Sequence, residues 1–223
     1  METIYLLNEK LEFPETSLAL KNGLLAVGGD LSPERVLLAY KSGIFPWFNS
    51  DEIVQWWAPD PRFILFPKEI KISKSTRRLL SKNHFRFTEN LCFEKVIRHC
   101  ASVKREGQDD TWITEDMIEA YIRLHRLGIA KSLEVWENTD LVGGFYGIDL
   151  VDVFCGESMF SLKPNASKCG FTYFAEKYKD HYKVIDCQIY STYLAQLGAC
   201  EISLKTFKNY LDTDRVKNLH FKE

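Results

Sequence analysis

The 223-residue sequence predicts an α+β protein, with a small N-terminal α/β domain over residues 1–61 and a larger domain over residues 62–223. Glycines and prolines crowd the N-terminal stretch, which indicates short elements joined by turns. After Gly128 the spacing of apolar residues changes from the period of a helix to that of strands. The larger domain is therefore predicted to hold a mixed sheet with flanking helices.

Capping residues mark the starts of several helices. Ser32 precedes a proline and an apolar helical face, and Ser73 and Thr114 are the predicted N-caps of two further helices. Asn165 or Ser167 is expected to cap a fourth. The remaining segments with a helical period are residues 94–103, 191–197 and 207–211.

Short apolar runs rich in β-branched and aromatic residues predict the strands. The turn-forming segment 138–140 separates two of them and indicates a hairpin. The predicted strands are residues 62–66, 130–137, 141–148, 151–155 and 183–189.

Composition places the chain among globular proteins, since 45% of residues are hydrophobic and 27% are charged. The sequence has no apolar run long enough for a transmembrane helix and no signal-peptide pattern, so a cytoplasmic location is expected. Six cysteines occur without zinc-finger or Cys-x-x-Cys spacing. They are interpreted as reduced thiols, and no metal site is expected.

Positive charge is concentrated in one segment of a chain whose net charge is −2. Residues 62–105 contain 12 Lys or Arg and 3 Asp or Glu, which indicates a local site for a polyanion. Lys74, Arg77 and Arg78 share one face of the predicted helix that starts at Ser73, and Lys82 follows at its end. A phosphate-binding surface and a merely solvated helix face both fit this pattern.

Three carboxylates lie in or beside predicted strands. Glu157 is predicted at the end of one strand, whereas Asp152 and Asp186 interrupt apolar runs. Such residues often face solvent, and this interpretation is favoured for Asp152. Asp186 and Gln188 are two residues apart, so in a regular strand they share a face, where the carboxylate would accept a hydrogen bond from the Gln188 amide.

Trp47 and Trp112 are the notable aromatic residues, one in a loop and one just before a helix. Two interpretations stay open for them. They belong to the core, or they are flat platforms on which an unpaired base stacks.

Nine short segments, taken together and in order, resemble the leucyl/phenylalanyl-tRNA–protein transferases of bacteria. The first three are residues 23–32, 43–48 and 56–62, and the next three are 111–114, 142–147 and 156–161. The last three are 165–168, 186–188 and 197–199.

The resemblance implies a fold and an activity. The larger domain would be a GNAT-like N-acyltransferase domain. The enzyme would move Leu, Phe or Met from aminoacyl-tRNA to a protein that begins with Lys or Arg, which marks that protein for degradation by the N-degron pathway. No cofactor is implied because the aminoacyl ester is already activated, and a monomer is expected.

The resemblance also implies roles for individual residues. Trp47 and Trp112 match tryptophans that sandwich the terminal adenine, and the basic segment would hold the acceptor arm. The residues implied at the reaction centre are Glu157, Asp186 and Gln188, and those implied around the aminoacyl side chain are Phe145, Met159, Phe171 and Ile185. Phe145 and Phe171 are larger than the residues usual there, so the preference between Leu and Phe stays open.

The expected mechanism is aminolysis, with Glu157 and Gln188 binding the basic N-terminal residue while Asp186 orients Gln188. In a second version, Asp186 and Gln188 accept a proton from the amine. Two other classes of protein remain as alternatives. An acetyl-CoA-dependent acetyltransferase is disfavoured because its pyrophosphate-binding motif is missing from the sequence. A non-catalytic tRNA-binding protein would need only the basic segment.

Overall fold

The structure, a computed structural model, describes residues 3–103 and 113–221. Its strands are β1 (Tyr5–Leu7), β2 (Leu24–Gly28), β3 (Phe45–Pro46), β4 (Gln55–Trp57), β5 (Arg62–Leu65), β6 (Arg86–Glu89), β7 (Ala130–Glu137), β8 (Asp140–Asp149), β9 (Val153–Ser161), β10 (Val184–Gln188) and β11 (Cys200–Ile202).

The α-helices of the described residues are α1 (Pro33–Lys41), α2 (Lys74–Ser81), α3 (Phe93–Ser102), α4 (Glu115–Arg126), α5 (Ala166–Lys177), α6 (Thr192–Gln196), α7 (Leu204–Leu211) and α8 (Asp214–Lys217). Two single-turn 3₁₀ helices cover Thr16–Leu18 and Pro67–Glu69.

The strands form two sheets. The N-terminal sheet has the order β1-β2-β4-β3, and the larger sheet has the order β11-β5-β10-β9-β8-β7-β6. Within the larger sheet β10 is parallel to β9, whereas the other neighbouring pairs are antiparallel. This arrangement confirms the predicted α+β class and the mixed sheet.

Two hydrophobic clusters cover the two faces of the larger sheet. One packs α5 against it, and the other joins α3, α4 and α7 to the N-terminal sheet and α1. Because the second cluster contains residues from both sides of position 61, the two parts of the chain share a core. The boundary between residues 61 and 62 stays a prediction.

The predicted caps at Ser32, Ser73 and Thr114 are confirmed. Each side-chain oxygen accepts a hydrogen bond from the backbone nitrogen three residues later. The cap of α5 differs from prediction. Asn165 occupies the N-cap position with a left-handed backbone (φ 66°) and makes no side-chain cap, and the Ser167 nitrogen donates to Ser161 Oγ instead.

The strand predicted over 151–155 was wrong at both ends. Val151 has φ 69° in a tight turn, so β9 begins at Val153 and continues to Ser161. Glu157 consequently lies in the middle of a strand. Asp152 is 1% exposed and bonds to Lys183, Thr213 and Arg215, so the interpretation that it faces solvent was also wrong.

Among the described residues, no helix is both long enough and apolar enough to cross a membrane.

Candidate active site

A cavity of about 390 Å³ lies between the loop that follows α1 and the strands β8, β9 and β10. The sequence-predicted residues that line it are Trp47, Phe145, Glu157, Met159, Phe171, Ile185, Asp186 and Gln188. Residues separated by as many as 141 positions in sequence therefore meet in one cavity.

Neighbouring strands bring the polar residues together. In the parallel pairing of β9 and β10, Asp186 lies opposite Cys155, two residues before Glu157. The pairing brings Glu157 and Gln188 together across the two strands, where the Gln188 side-chain nitrogen lies 2.7 Å from Glu157 Oε1.

Asp186 forms a buried ion pair with Arg62 of β5. The Arg62 Nε and Nη2 atoms donate to the two carboxylate oxygens at 2.8 and 2.6 Å, and the residues are 1% and 0% exposed. A bidentate contact of this kind fixes the guanidinium and the carboxylate in one relative orientation. The negative charge of Asp186 is therefore balanced inside the protein.

Gln188 has a left-handed backbone, with φ 65°, and the pairing of β10 with β5 shifts register between Asp186 and Gln188. The Gln188 backbone nitrogen donates to Asp186 Oδ1 at 2.9 Å, and its side-chain Nε2 donates to Glu157 Oε1 at 2.7 Å. The expected hydrogen bond from the Gln188 side-chain amide to Asp186 was therefore wrong, because the irregular backbone turns the side-chain amide towards β9.

Two buried tyrosines support Glu157. The Tyr121 hydroxyl of α4 donates to Glu157 Oε2 at 2.9 Å, and the Tyr40 hydroxyl of α1 lies 2.5 Å from the Tyr121 hydroxyl. Burial raises the pKa of Glu157 to about 7, although the hydrogen bonds from the tyrosines act in the opposite direction. Burial and the nearby Glu157 also raise the pKa of both tyrosines well above the ordinary value, so they remain neutral donors.

Sequence reasoning did not single out Arg62, Tyr40 or Tyr121 as site residues. Each lies in an apolar context, the arginine in a hydrophobic strand and the tyrosines on the buried faces of α1 and α4. The available signal for a buried pair was that an arginine and an aspartate each interrupt a separate apolar strand. The tyrosines gave no comparable signal, because core tyrosines have the same pattern.

The apolar side of the cavity is formed by Phe145, Met159, Phe171 and Ile185. Phe145 and Phe171 are each 3% exposed, and their ring centroids are 5.9 Å apart with an edge-to-face inclination of 65°. Edge-to-face pairs of this type are favourable beyond the burial of their area. The two phenylalanines therefore support each other on this side of the cavity.

Trp47 lies half-buried at the edge of the cavity. Its carbonyl oxygen accepts a hydrogen bond from Trp57 Nε1 at 2.6 Å, and the two ring systems are 5.4 Å apart. The second expected stacking residue, Trp112, lies outside the described residues.

The four basic residues predicted to contact phosphate, Lys74, Arg77, Arg78 and Lys82, are exposed on or just after α2. In the part of the chain that the structure describes, α2 does not contribute to the lining of the cavity. Any contact they make with tRNA would therefore lie outside the cavity.

Cys155 and Cys187 lie close to the polar residues, but neither is suited to act as a nucleophile. Burial and the negative charge of Asp186 raise the pKa of each thiol well above its ordinary value. A thiolate is the reactive form of cysteine, so these groups are chemically inert at neutral pH. The site instead offers the carboxylates of Glu157 and Asp186, of which Asp186 is paired with Arg62, together with the Gln188 amide and an apolar wall.

Comparison with known proteins identifies the family of the chain. The model for the leucyl/phenylalanyl-tRNA protein transferase family matches residues 64–212, and the model for the N-terminal domain of that family matches residues 29–60. The chain is 55% identical over 209 residues to the leucyl/phenylalanyl-tRNA–protein transferase of Flavobacterium johnsoniae, which covers 93% of this chain and 99% of that protein.

Two further relatives have the same name. The protein of Christiangramia forsetii is 53% identical over 93% of this chain and 100% of its own length. A protein of Escherichia coli is 47% identical over 98% of this chain and 94% of its own length. The chain belongs to the leucyl/phenylalanyl-tRNA–protein transferase family, and is an aminoacyltransferase that carries an aminoacyl group from tRNA to protein.

Proposed function

We propose that this enzyme transfers leucine, phenylalanine or methionine from tRNA to proteins whose first residue is Lys or Arg, and so marks them for N-degron degradation. The observation that carries this proposal is a carboxylate, Glu157, lying beside an apolar pocket in one cavity. The two parts match the two substrates, an apolar aminoacyl group and a cationic N-terminus.

The donor half of the proposal rests on the apolar wall. Phe145, Met159, Phe171 and Ile185 offer hydrophobic surface and no charge to an aminoacyl side chain, which favours Leu, Phe and Met over polar residues. Trp47 at the rim would stack on the terminal adenine of the tRNA, and Trp112 would supply the second face.

The acceptor half rests on Glu157 and Gln188. The Gln188 amide donates to Glu157, which directs the Gln188 carbonyl oxygen to accept from an incoming amine or ammonium group. The Glu157 carboxylate supplies the negative charge that an N-terminal Lys or Arg requires. Asp186 adds little free charge, because Arg62 neutralises it.

The reaction is aminolysis of an ester. The neutral α-amine attacks the ester carbonyl carbon, an amide bond forms, and the bond to the terminal ribose oxygen of the tRNA breaks. The amine loses a proton and the ribose oxygen gains one. Because an α-amine has a pKa of about 7.7–8.0, about a tenth is neutral at pH 7, and no strong base is required.

Positioning can therefore supply most of the rate enhancement. The buried pair with Arg62 supports the version of the mechanism in which Asp186 orients Gln188, since both Asp186 carboxylate oxygens already accept hydrogen bonds from Arg62 and one of them also accepts from the Gln188 backbone nitrogen.

The test measures transfer of labelled Leu, Phe and Met from charged tRNA to peptides that begin with Lys, Arg, Ala or Glu. We expect transfer to the Lys and Arg peptides alone. Glu157→Gln, which keeps the side-chain size, should raise the acceptor KM and reduce discrimination between the peptides. Equal transfer to the Ala and Glu peptides would contradict the proposed acceptor.

The same preparation is assayed for turnover of acetyl-CoA, which separates this function from that of a small-molecule acetyltransferase. The degradation step is tested in cells, where a reporter protein beginning with Arg should be shorter-lived when the enzyme is present. An unchanged reporter lifetime would contradict the N-degron role while leaving the transfer reaction intact.

A further inference from the structure

We propose that Arg62 is a positioning residue for the transfer reaction. Arg62 fixes Asp186, and Asp186 in turn fixes the backbone and the side-chain amide of Gln188. This inference rests on the proposed function, because it assigns Gln188 to acceptor binding. It adds a residue that touches neither substrate yet determines the geometry of the reaction centre.

Arg62 is held from several directions. Its Nη1 donates to the Gly43 carbonyl oxygen at 3.2 Å, and its guanidinium carbon lies 4.8 Å and 4.9 Å from the ring centroids of Phe45 and Phe207. The segment after α1 and helix α7 thus hold the guanidinium in place independently of its contact with Asp186. A flexible surface arginine has no such restraint.

Asp186 transmits this restraint to Gln188. Asp186 Oδ1 accepts hydrogen bonds from both Arg62 Nε and the Gln188 backbone nitrogen, at 2.8 and 2.9 Å. Gln188 has a left-handed backbone, which side-chain-bearing residues disfavour, so this conformation requires a compensating contact. The bond to a charge-balanced carboxylate supplies it.

The left-handed backbone has a direct consequence for the site. It ends the regular pairing of β10 and turns the Gln188 amide to within 2.7 Å of Glu157. A regular strand at this position would not produce the register shift seen here. Arg62 therefore acts on the acceptor site through a chain of three successive contacts.

Arg62 also links the two substrate sites. The Gly43 carbonyl oxygen and the Phe45 ring that contact it belong to the segment that runs from the end of α1 through β3 to Trp47, which lines the cavity. One guanidinium thus fixes the segment next to the proposed adenine site and the strand that carries Gln188. The distance between the aminoacyl ester and the acceptor amine depends on the positions of that segment and that strand.

The test compares Arg62→Lys with Arg35→Lys. Arg35 is the matched control because it is also fully buried, at 0% exposure, and binds the Asn8 carbonyl oxygen and Asp30 in the N-terminal part. Both variants are expected to melt at lower temperature than the parent enzyme. Kinetics are measured well below both melting temperatures, so that only folded protein is compared.

We expect Arg62→Lys to lower kcat about 10- to 100-fold, since small misplacement of reacting groups has effects of this size. Arg35→Lys should retain the kcat of the parent enzyme. Equal kcat values in the two variants would overturn the proposal, because a purely structural pair predicts a loss of stability alone.

A second readout follows Gln188 directly and does not depend on turnover. The ¹⁵N side-chain amide signal of Gln188, assigned by its loss in Gln188→Ala, should titrate with Glu157 near pH 7 in the parent enzyme and in Arg35→Lys. In Arg62→Lys this titration should be lost. A titration unchanged in Arg62→Lys would contradict the proposal even if transfer to Lys or Arg peptides were never observed.

If Arg62→Lys does not fold, Phe207→Leu replaces it, because it removes one ring from the guanidinium and keeps both charges. We expect a smaller loss of kcat, about threefold, and a weakened titration of the Gln188 amide. Parent-like kcat and titration in Phe207→Leu, with Arg62→Lys unfolded, would count against the proposal.

Discussion

The Gln188 amide nitrogen lies 2.7 Å from Glu157 Oε1, so side chains of the parallel strands β9 and β10 are joined at the cavity. The second Glu157 oxygen accepts from Tyr121. The carboxylate is therefore held by two neutral donors, neither of which cancels its charge. This arrangement makes its protonation state responsive to pH near neutrality, and several predictions depend on it or on its surroundings.

The first prediction concerns the pH dependence of acceptor use. Because burial raises the pKa of Glu157 to about 7, kcat/KM for an Arg peptide should rise with pH through about 7 as the carboxylate becomes charged. The α-amine of the peptide also titrates in this region. Glu157→Gln isolates the contribution of Glu157, since the variant should retain only the titration of the amine. Identical pH profiles would contradict the prediction.

The raised pKa of Glu157 also makes the stability of the folded protein depend on pH. A raised pKa means that the folded protein binds this proton more tightly than the unfolded chain does. The contribution of Glu157 to stability is therefore fully present below about pH 4.5 and is lost as pH rises through about 7. We expect the melting temperature of Glu157→Gln, relative to the parent enzyme, to be higher at pH 8 than at pH 5.

The second prediction concerns the aminoacyl pocket. Phe171→Leu should enlarge the pocket beside Phe145 and raise the preference for phenylalanine over leucine about five- to tenfold in kcat/KM. Phe174→Leu is the control, because Phe174 is a buried ring on the same helix but does not line the cavity. An equal change in both variants would indicate a general loosening of the core.

The third prediction concerns the basic residues of α2. If Arg77 and Arg78 bind tRNA phosphates, replacing either with Ala should weaken binding of charged tRNA and reduce the slope of log Kd against log salt by about 1. Arg98→Ala is the control, since Arg98 is exposed on α3 but paired with Glu94 and Glu115. A slope unchanged in the α2 variants would identify α2 as a solvated helix face.

The fourth prediction separates stability from activity. Asp152 is buried and accepts hydrogen bonds from Thr213 at 2.9 Å and Arg215 at 2.5 Å, which attach the C-terminal segment to the turn before β9. Asp152→Asn should lower the free energy of unfolding by about 1–3 kcal/mol. Exposed Asp140→Asn is the control. Because Asp152 lies outside the lining of the cavity, kcat should remain unchanged, and a large loss of kcat would assign it a further role.

Local sequence determined much of the fold. The helix caps at Ser32, Ser73 and Thr114 depend on a side-chain oxygen and a backbone nitrogen three residues away, so neighbouring residues suffice to specify them. The hairpin between β7 and β8 is specified in the same way by Asn138, whose φ of 55° suits a tight turn. The order of the nine short segments identified the family.

The tertiary structure alone decided how the site is assembled. Arg62 and Asp186 are 124 residues apart, and although each interrupts an apolar strand, only the tertiary structure shows that these two strands are neighbours. The burial of Asp152 depends likewise on the distant Arg215. The left-handed backbone of Gln188 departs from regular strand alternation because its bonds to Asp186, which is paired with Arg62 of β5, and to Glu157 of β9 outweigh its local preference. Sequence by itself determined the family and predicted candidate site residues, and only folding decided which atoms face one another, because contacts between distant strands set those distances.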